Sequence, residues 1–169
     1  YLHPDTLNQK VTEAVRDFEN QGIYRTMIYC NSLSAAVDMD CLRGISVDTT
    51  LITPLDIYKS LALRLSSLLL WAANAQCLAA IERIFYDKNP SLEIIGISML
   101  PVVMAIERQE PPASIMAQFS LEALCQGTPR CQGLVLGCTH FPYLREELEA
   151  ITSMTIIDPA EEMLKRLLA

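Results

Sequence analysis

The sequence predicts an α/β fold. Short apolar runs alternate with amphipathic stretches along the chain, and two of those runs end on the same kind of turn. Strands alternating with helices imply βαβ units and parallel sheets, whose ligands bind beyond the carboxyl ends of the strands. The repeated turn is Cys30-Asn31-Ser32 after Thr26-Met-Ile-Tyr29, and Cys138-Thr139-His140 after Leu134-Val-Leu-Gly137. No solenoid period or low-complexity tract accompanies it, so this loose echo is the internal duplication, and it reads as a pseudosymmetric pair of lobes. Each lobe is expected to be a mainly parallel sheet flanked by helices.

The elements follow in order. Leu7, Val11, Ala14, Val15 and Phe18 fall at helical spacing between Asp5 and Gln21, with Asp5 or Thr6 as cap and Gly22 as stop. Residues Arg25 to Tyr29 form a short apolar strand, and Ser32 to Leu42 the next helix, stopping near Gly44. Val47 to Ile52 reads as a second strand, and Pro54 opens a helix that continues to Leu65. Ser67 to Trp71 is a third strand. A helix opens at Asn74 or Ala75 and runs to about Tyr86, and Asp87-Lys-Asn-Pro90 turns into a fourth strand from Leu92 to Ile97. Pro101 begins a helix to Arg108, Pro111-Pro112 breaks it, and Ser114 to Cys125 resumes it. Gly133 to Leu136 carries the second motif, Arg145 to Ile151 is helical, Thr155 to Ile157 is a last strand, and Asp158-Pro159 caps a terminal helix through Leu168.

Composition narrows the function. A chain of 169 residues that is 51% hydrophobic has material for a sizeable core. A net charge of −7, without a cluster of Lys or Arg, excludes a nucleic-acid footprint. The most apolar window, Leu61 to Ile81, is interrupted by Arg64, Asn74 and Gln76, and reads as buried structure rather than a membrane span. The six cysteines lack the setting of a disulfide scaffold, which is a short chain poor in core, so reduced thiols in the cytoplasm are expected. No Cys-x-x-Cys pair occurs, and His3 and His140 lie far apart, so no metal is expected. Cys41, Cys77, Cys125 and Cys131 read as small core residues. The chain opens at Tyr1 and runs directly into a helix, and a preceding βα unit is expected upstream.

Cys30 and Cys138 stand apart because each ends an apolar run on a polar turn. Asn31, Ser32 and Thr139 offer amides and hydroxyls which, with the N-terminal ends of the following helices, suit carboxylate binding. Inverting an amino-acid Cα requires removing a weakly acidic proton from one face and returning one to the other. Two thiols, one as thiolate base and one as thiol acid, suit that task.

The two motifs together resemble the cofactor-independent aspartate/glutamate racemase superfamily. The Cys138-Thr139-His140-Phe-Pro142 form resembles its glutamate racemase branch, since the aspartate-specific branch typically has glutamate at the position of His140. The resemblance implies a site in the cleft between the lobes, with Cys30 and Cys138 facing each other across the substrate. It divides the chain into a first lobe, residues 1–62 completed by 158–169, and a second lobe, residues 63–157. His140 resembles the histidine that assists the second thiol. Glu107, in Ala105-Ile-Glu107-Arg-Gln-Glu110, resembles the acidic residue placed near the first cysteine, with Glu110 as competitor. Tyr1 matches the tyrosine of a Pro-Tyr-Gly segment, whereas the Asp-Ser loop that precedes it in the family has no counterpart here. In Trp71-Ala-Ala73-Asn74-Ala-Gln76, Ala73 and Gln76 stand where threonines that bind carboxylate are expected, beside Asn74. The implied activity is interconversion of L- and D-glutamate without cofactor, supplying D-glutamate for peptidoglycan in a bacterial cytoplasm, by an enzyme compatible with a homodimer. The alternatives are a racemase of aspartate or another amino acid, and a silent homologue that binds a metabolite or a protein partner.

Overall fold

The computed structural model describes residues 3–44 and 49–169. Tyr1 and Val47 lie outside the described residues. The first part of the chain contributes helix α1 (Pro4–Asn20), strand β1 (Arg25–Met27), α2 (Asn31–Ala36), α3 (Met39–Gly44), β2 (Thr50–Ile52) and α4 (Pro54–Leu61). The second contributes β3 (Ser67–Ala72), α5 (Ala75–Lys88), β4 (Glu93–Ser98), α6 (Leu100–Glu107), α7 (Pro112–Gln118), α8 (Leu121–Gln126) and β5 (Gly133–Gly137). A 3-10 turn (Phe141–Leu144), α9 (Arg145–Ile151), β6 (Thr155–Ile157) and α10 (Pro159–Leu168) complete it.

Two parallel sheets result, one pairing β1 with β2 and one in the order β4-β3-β5-β6. The central strand β3 reads Ser-Leu-Leu-Leu-Trp-Ala and is buried on both faces, as expected of a strand covered by helices on either side. Leu69 and Trp71 face the layer built from α6, α7, α8 and α9, where they meet Val102, Ile115, Leu121 and Leu148. Leu68 and Leu70 face α4 and α5, where Tyr58, Ile81 and Phe85 close the opposite core. The chain is therefore layered helix–sheet–helix in this part. Burying one leucine-sized side chain contributes about 1.5–3 kcal/mol, so the alternate residues of β3 fix its register firmly.

The α10 helix returns to the first sheet. Met163 packs against Ile52 and Ile57, with Met27 and Leu167 beside them. Arg25 of β1 donates to the carbonyls of Arg166 at 2.7 Å and Leu167 at 2.8 Å, satisfying acceptors that a helix C-terminus leaves free.

Three helices are shorter than their periodicity predicts. The helix expected over Ser32 to Leu42 is two, because Val37 is extended (φ −95°, ψ 152°). Asp38 there caps the next helix by accepting the Cys41 N–H at 2.9 Å, while its own N–H donates to Asn8 Oδ1 at 2.8 Å. The helix expected to reach Leu65 ends at Leu61, and Asn89 Nδ2 donates to the carbonyls of Ala62 and Leu65. The helix expected over Ser114 to Cys125 breaks where Ser120 adopts the left-handed conformation (φ 51°). Hydrophobic spacing continues through all three breaks, so only local hydrogen bonding or backbone geometry reveals them.

Candidate active site

Each thiol sits where a strand hands over to a polar turn. After β1 the backbone of Cys30 is extended (φ −158°, ψ 116°), which makes it the N-cap of α2. Its Sγ accepts the Leu33 N–H at 3.4 Å, and its carbonyl accepts the Ser34 hydroxyl at 2.7 Å. Next to it Asn31 is buried, at 2% exposure, and its Oδ1 accepts the Tyr58 hydroxyl at 2.7 Å. Asn31 Nδ2 has no partner among the described residues. A buried amide donor left unpaired costs about 1–3 kcal/mol, so this N–H is available to an incoming acceptor.

The second thiol is set by close packing. Gly137 pairs with Ala72 of β3, and a Cβ on Gly137 would stand 2.6 Å from the Trp71 carbonyl and 3.0 Å from Ile81. Only glycine lets β5 approach this closely before it delivers Cys138. Phe141 then anchors the turn by packing edge-on against Trp71, with centroids 6.0 Å apart and planes at 80°. Between these anchors His140 is held with Nδ1 at 3.4 Å from Cys138 Sγ. Its Nε2 lies 2.5 Å from Glu107 Oε1 at the C-terminal end of α6. Cys138, His140 and Glu107 thus form a continuous line of thiol, imidazole and carboxylate.

Burial pushes the Cys138 thiol up to about 11. The His140 backbone N–H opposes that shift, while negative charge at Cys77, Cys30 and Glu107 adds to it. Cys138 is therefore a neutral thiol near neutral pH. Gly137, the residue before it, offers its carbonyl to Cys77 Sγ at 3.8 Å.

Cys77 is the residue that sequence pattern missed. Asn74 caps α5, its Oδ1 accepting the Cys77 N–H at 2.9 Å, and this turns the Cys77 thiol toward the motif loops. Its Sγ donates to the Gly137 carbonyl at 3.8 Å. Burial pushes this thiol above its ordinary range. No local spacing marks Cys77: the Asn74 cap engages only the Cys77 backbone N–H, and it is the pairing of β3 with β5 that brings Gly137 to its thiol.

The other sequence-marked residues fall as follows. Ser32, Thr139 and Asn74 are half-buried, whereas Ala73 is buried and its side chain carries no donor. Gln76 is exposed. Glu110 is engaged by Arg108 at 2.8 Å, and its carbonyl accepts the Tyr143 hydroxyl at 3.1 Å. Glu107 therefore contacts His140 while Glu110 does not. Glu107 also stands on the side of the second thiol rather than the first, because the β5 turn carries His140 over the end of α6.

The same arrangement of sheets and helices occurs in solved racemases. The glutamate racemase RacE1 of Bacillus anthracis superposes with a TM-score of 0.78 at 18% identity, over 98% of this chain and 64% of that one. The glutamate racemase of Francisella tularensis, crystallised with D-glutamate, gives a TM-score of 0.71 at 22% identity, again over 98% and 64%. The aspartate racemase of Picrophilus torridus gives 0.71 at 15% identity, over 95% of this chain and 68% of that one. In sequence, the curated glutamate racemase of Limosilactobacillus reuteri is 30% identical over 82 residues, covering 46% of this chain and 30% of the relative. That of Streptococcus uberis is 28% identical over 78 residues, covering 45% and 30%.

This chain resembles the aspartate/glutamate racemase superfamily in both fold and sequence.

Both of these sequence relatives are glutamate racemases. No protein-family profile matches the chain. The aligned segments cover about a third of the two curated relatives, and the chain spans about two thirds of the solved glutamate racemases from B. anthracis and F. tularensis. The mixed α/β fold with parallel sheets, expected from the alternation of elements, is the fold of those solved glutamate racemases. Among the described residues no helix is long and apolar enough to cross a membrane.

Proposed function

We propose that this protein is a cofactor-independent amino-acid racemase that interconverts L- and D-glutamate, with Cys30 and Cys138 acting on opposite faces of Cα. The observation that carries this reading is the Cys138–His140–Glu107 line, in a chain whose Cys30 caps the helix after another parallel strand. With Glu107 ionised, its oxygen accepts the Nε2–H of His140, which leaves Nδ1 free to take the Cys138 proton. The resulting thiolate is held by the imidazolium, and the imidazolium by Glu107, as in a triad whose acid orients the base. In one direction Cys30 removes the Cα proton and the neutral Cys138 thiol returns one to the opposite face. In the reverse direction His140 must first draw the proton from Cys138. Asn31 Nδ2, unpaired and buried next to Cys30, supplies a donor for a substrate carboxylate. The domain division at residues 62/63 and 157/158 belongs to the same proposal, as do a cytoplasmic location, a role in peptidoglycan supply and a homodimer.

A preference for aspartate or another amino acid is favoured by one observation. Ala73 and Gln76 put no hydroxyl at the β3 turn, and the Asn74 side-chain oxygen is occupied by the α5 cap. The deciding experiment follows the optical activity of L-glutamate and, separately, L-aspartate by circular dichroism, with Cys30→Ala and Cys138→Ala alongside. Decay of the glutamate signal that either substitution abolishes is the expected result. Decay with aspartate alone would move the substrate, and no decay with either, from folded protein, would overturn the racemase reading in favour of a silent binding homologue.

A further inference from the structure

Tyr29 directly precedes Cys30, yet its hydroxyl reaches Asp158 Oδ1, at 3.4 Å, where the chain leaves β6. Asp158 is mostly buried, with 11% of its side chain exposed, and its other oxygen lies 3.8 Å from Arg145 Nη2. Arg145 opens α9, directly after the turn that carries His140. Asp158 therefore ties the segment bearing Cys30 to the segment bearing Cys138, while its Oδ1 also caps α10 through the Ala160 N–H at 3.0 Å. Burial and the Asp158 charge hold the Tyr29 hydroxyl in its neutral, donating form.

From this geometry we propose that Tyr29, Asp158 and Arg145 are positioning residues that set the gap between the two thiols. The inference rests on the racemase reading above. Both contacts are long for a hydrogen bond and an ion pair, so their contribution to stability is small. Their effect is on geometry, where a misplacement of 1 Å can cost about 100-fold in rate. Inversion needs both thiols aligned on one carbon, whereas exchange of the Cα proton needs only the one that removes it. A looser gap therefore harms inversion more than exchange.

The test measures both processes in D2O on one sample, Cα deuteration by NMR and inversion by circular dichroism, for wild type, Tyr29→Phe, Asp158→Asn and the double variant. Asparagine caps helices as well as aspartate does, so Asp158→Asn keeps the α10 cap and removes the charge. Inversion is expected to fall about tenfold and exchange less than about twofold, so the exchange-to-inversion ratio rises at least about fivefold. The double variant should be no worse than the stronger single, because both changes cut one tie. An unchanged exchange-to-inversion ratio in variants of an active enzyme would overturn the positioning role. A wild type that neither exchanges nor inverts glutamate or aspartate would instead overturn the racemase reading, and this inference with it.

Discussion

Glu107 Oε1 lies 2.5 Å from His140 Nε2, joining the last residue of α6 to the turn after β5. The contact fixes which imidazole nitrogen faces Cys138. Replacing Glu107 by Gln offers an amide that can present N–H instead of oxygen and so reverse the tautomer. Glu107→Gln is expected to lower kcat about 10-fold, the usual scale for a partner behind a functional group. His140→Asn is expected to lower it about 100-fold, the scale for loss of an acid–base group. Circular dichroism with each enantiomer as substrate checks this, and the loss should be greater in the direction that starts with Cys138 as base.

The buried Cys138 thiol gives the protein a signature at high pH. Its pKa is raised from 9.0 to about 11 in the folded state. The unfolded chain therefore loses this proton first as pH rises, and stability present below pH 9 declines between pH 9 and 11. Cys125 is pushed up by burial over the same range and contributes to the same decline. Urea midpoints measured from pH 8 to 11 should fall in wild type, less steeply in Cys138→Ser, and least in the Cys125→Ala/Cys138→Ser double variant. Equal slopes in all three would contradict the assignment.

Gly137 has no room for a methyl group. Its absent Cβ would stand 2.6 Å from the Trp71 carbonyl oxygen, a backbone atom that cannot swing aside. Gly137→Ala should cost about 1–3 kcal/mol, the range for overpacking. Because β5 must then move away from β3, Cys138 moves with it, and inversion should fall even at temperatures where the variant is folded. Denaturant unfolding and optical assays on the same preparation separate the two losses.

The six thiols should differ in reactivity. Cys41 is exposed, while Cys77 and Cys125 are buried at 1% and 4% exposure. Thiolate fraction and access together set the rate of alkylation. Iodoacetamide at pH 7.5 followed by mass spectrometry should modify Cys41 first and leave Cys77 and Cys125 intact until the protein unfolds. Early modification of Cys77 would mean that the contact between α5 and the end of β5 opens readily.

The alternation of strands and helices, the two strand-end cysteines, the Asp158 cap and the pairing of Cys138 with His140 were all legible in the sequence. These features are local, set by hydrophobic period, by turn chemistry or by a two-residue spacing. The remaining site features depend on distance in the fold. Glu107 meets His140 across 33 positions, and Cys77 meets Gly137 across 60, because parallel pairing brings β3 and β5 side by side with their carboxyl ends together. Tyr29 meets Asp158 across 129 positions for a related reason, since α10 returns to pack on β1 and β2. A linear pattern carries no record of such approaches: Cys77 has the composition and spacing of a core cysteine, and only its neighbours in space make it part of the site. The amino-acid sequence by itself determined the elements and the chemistry each strand end could offer. The tertiary structure decided which groups share one small volume, because sheet register and helix return, rather than local spacing, set those distances.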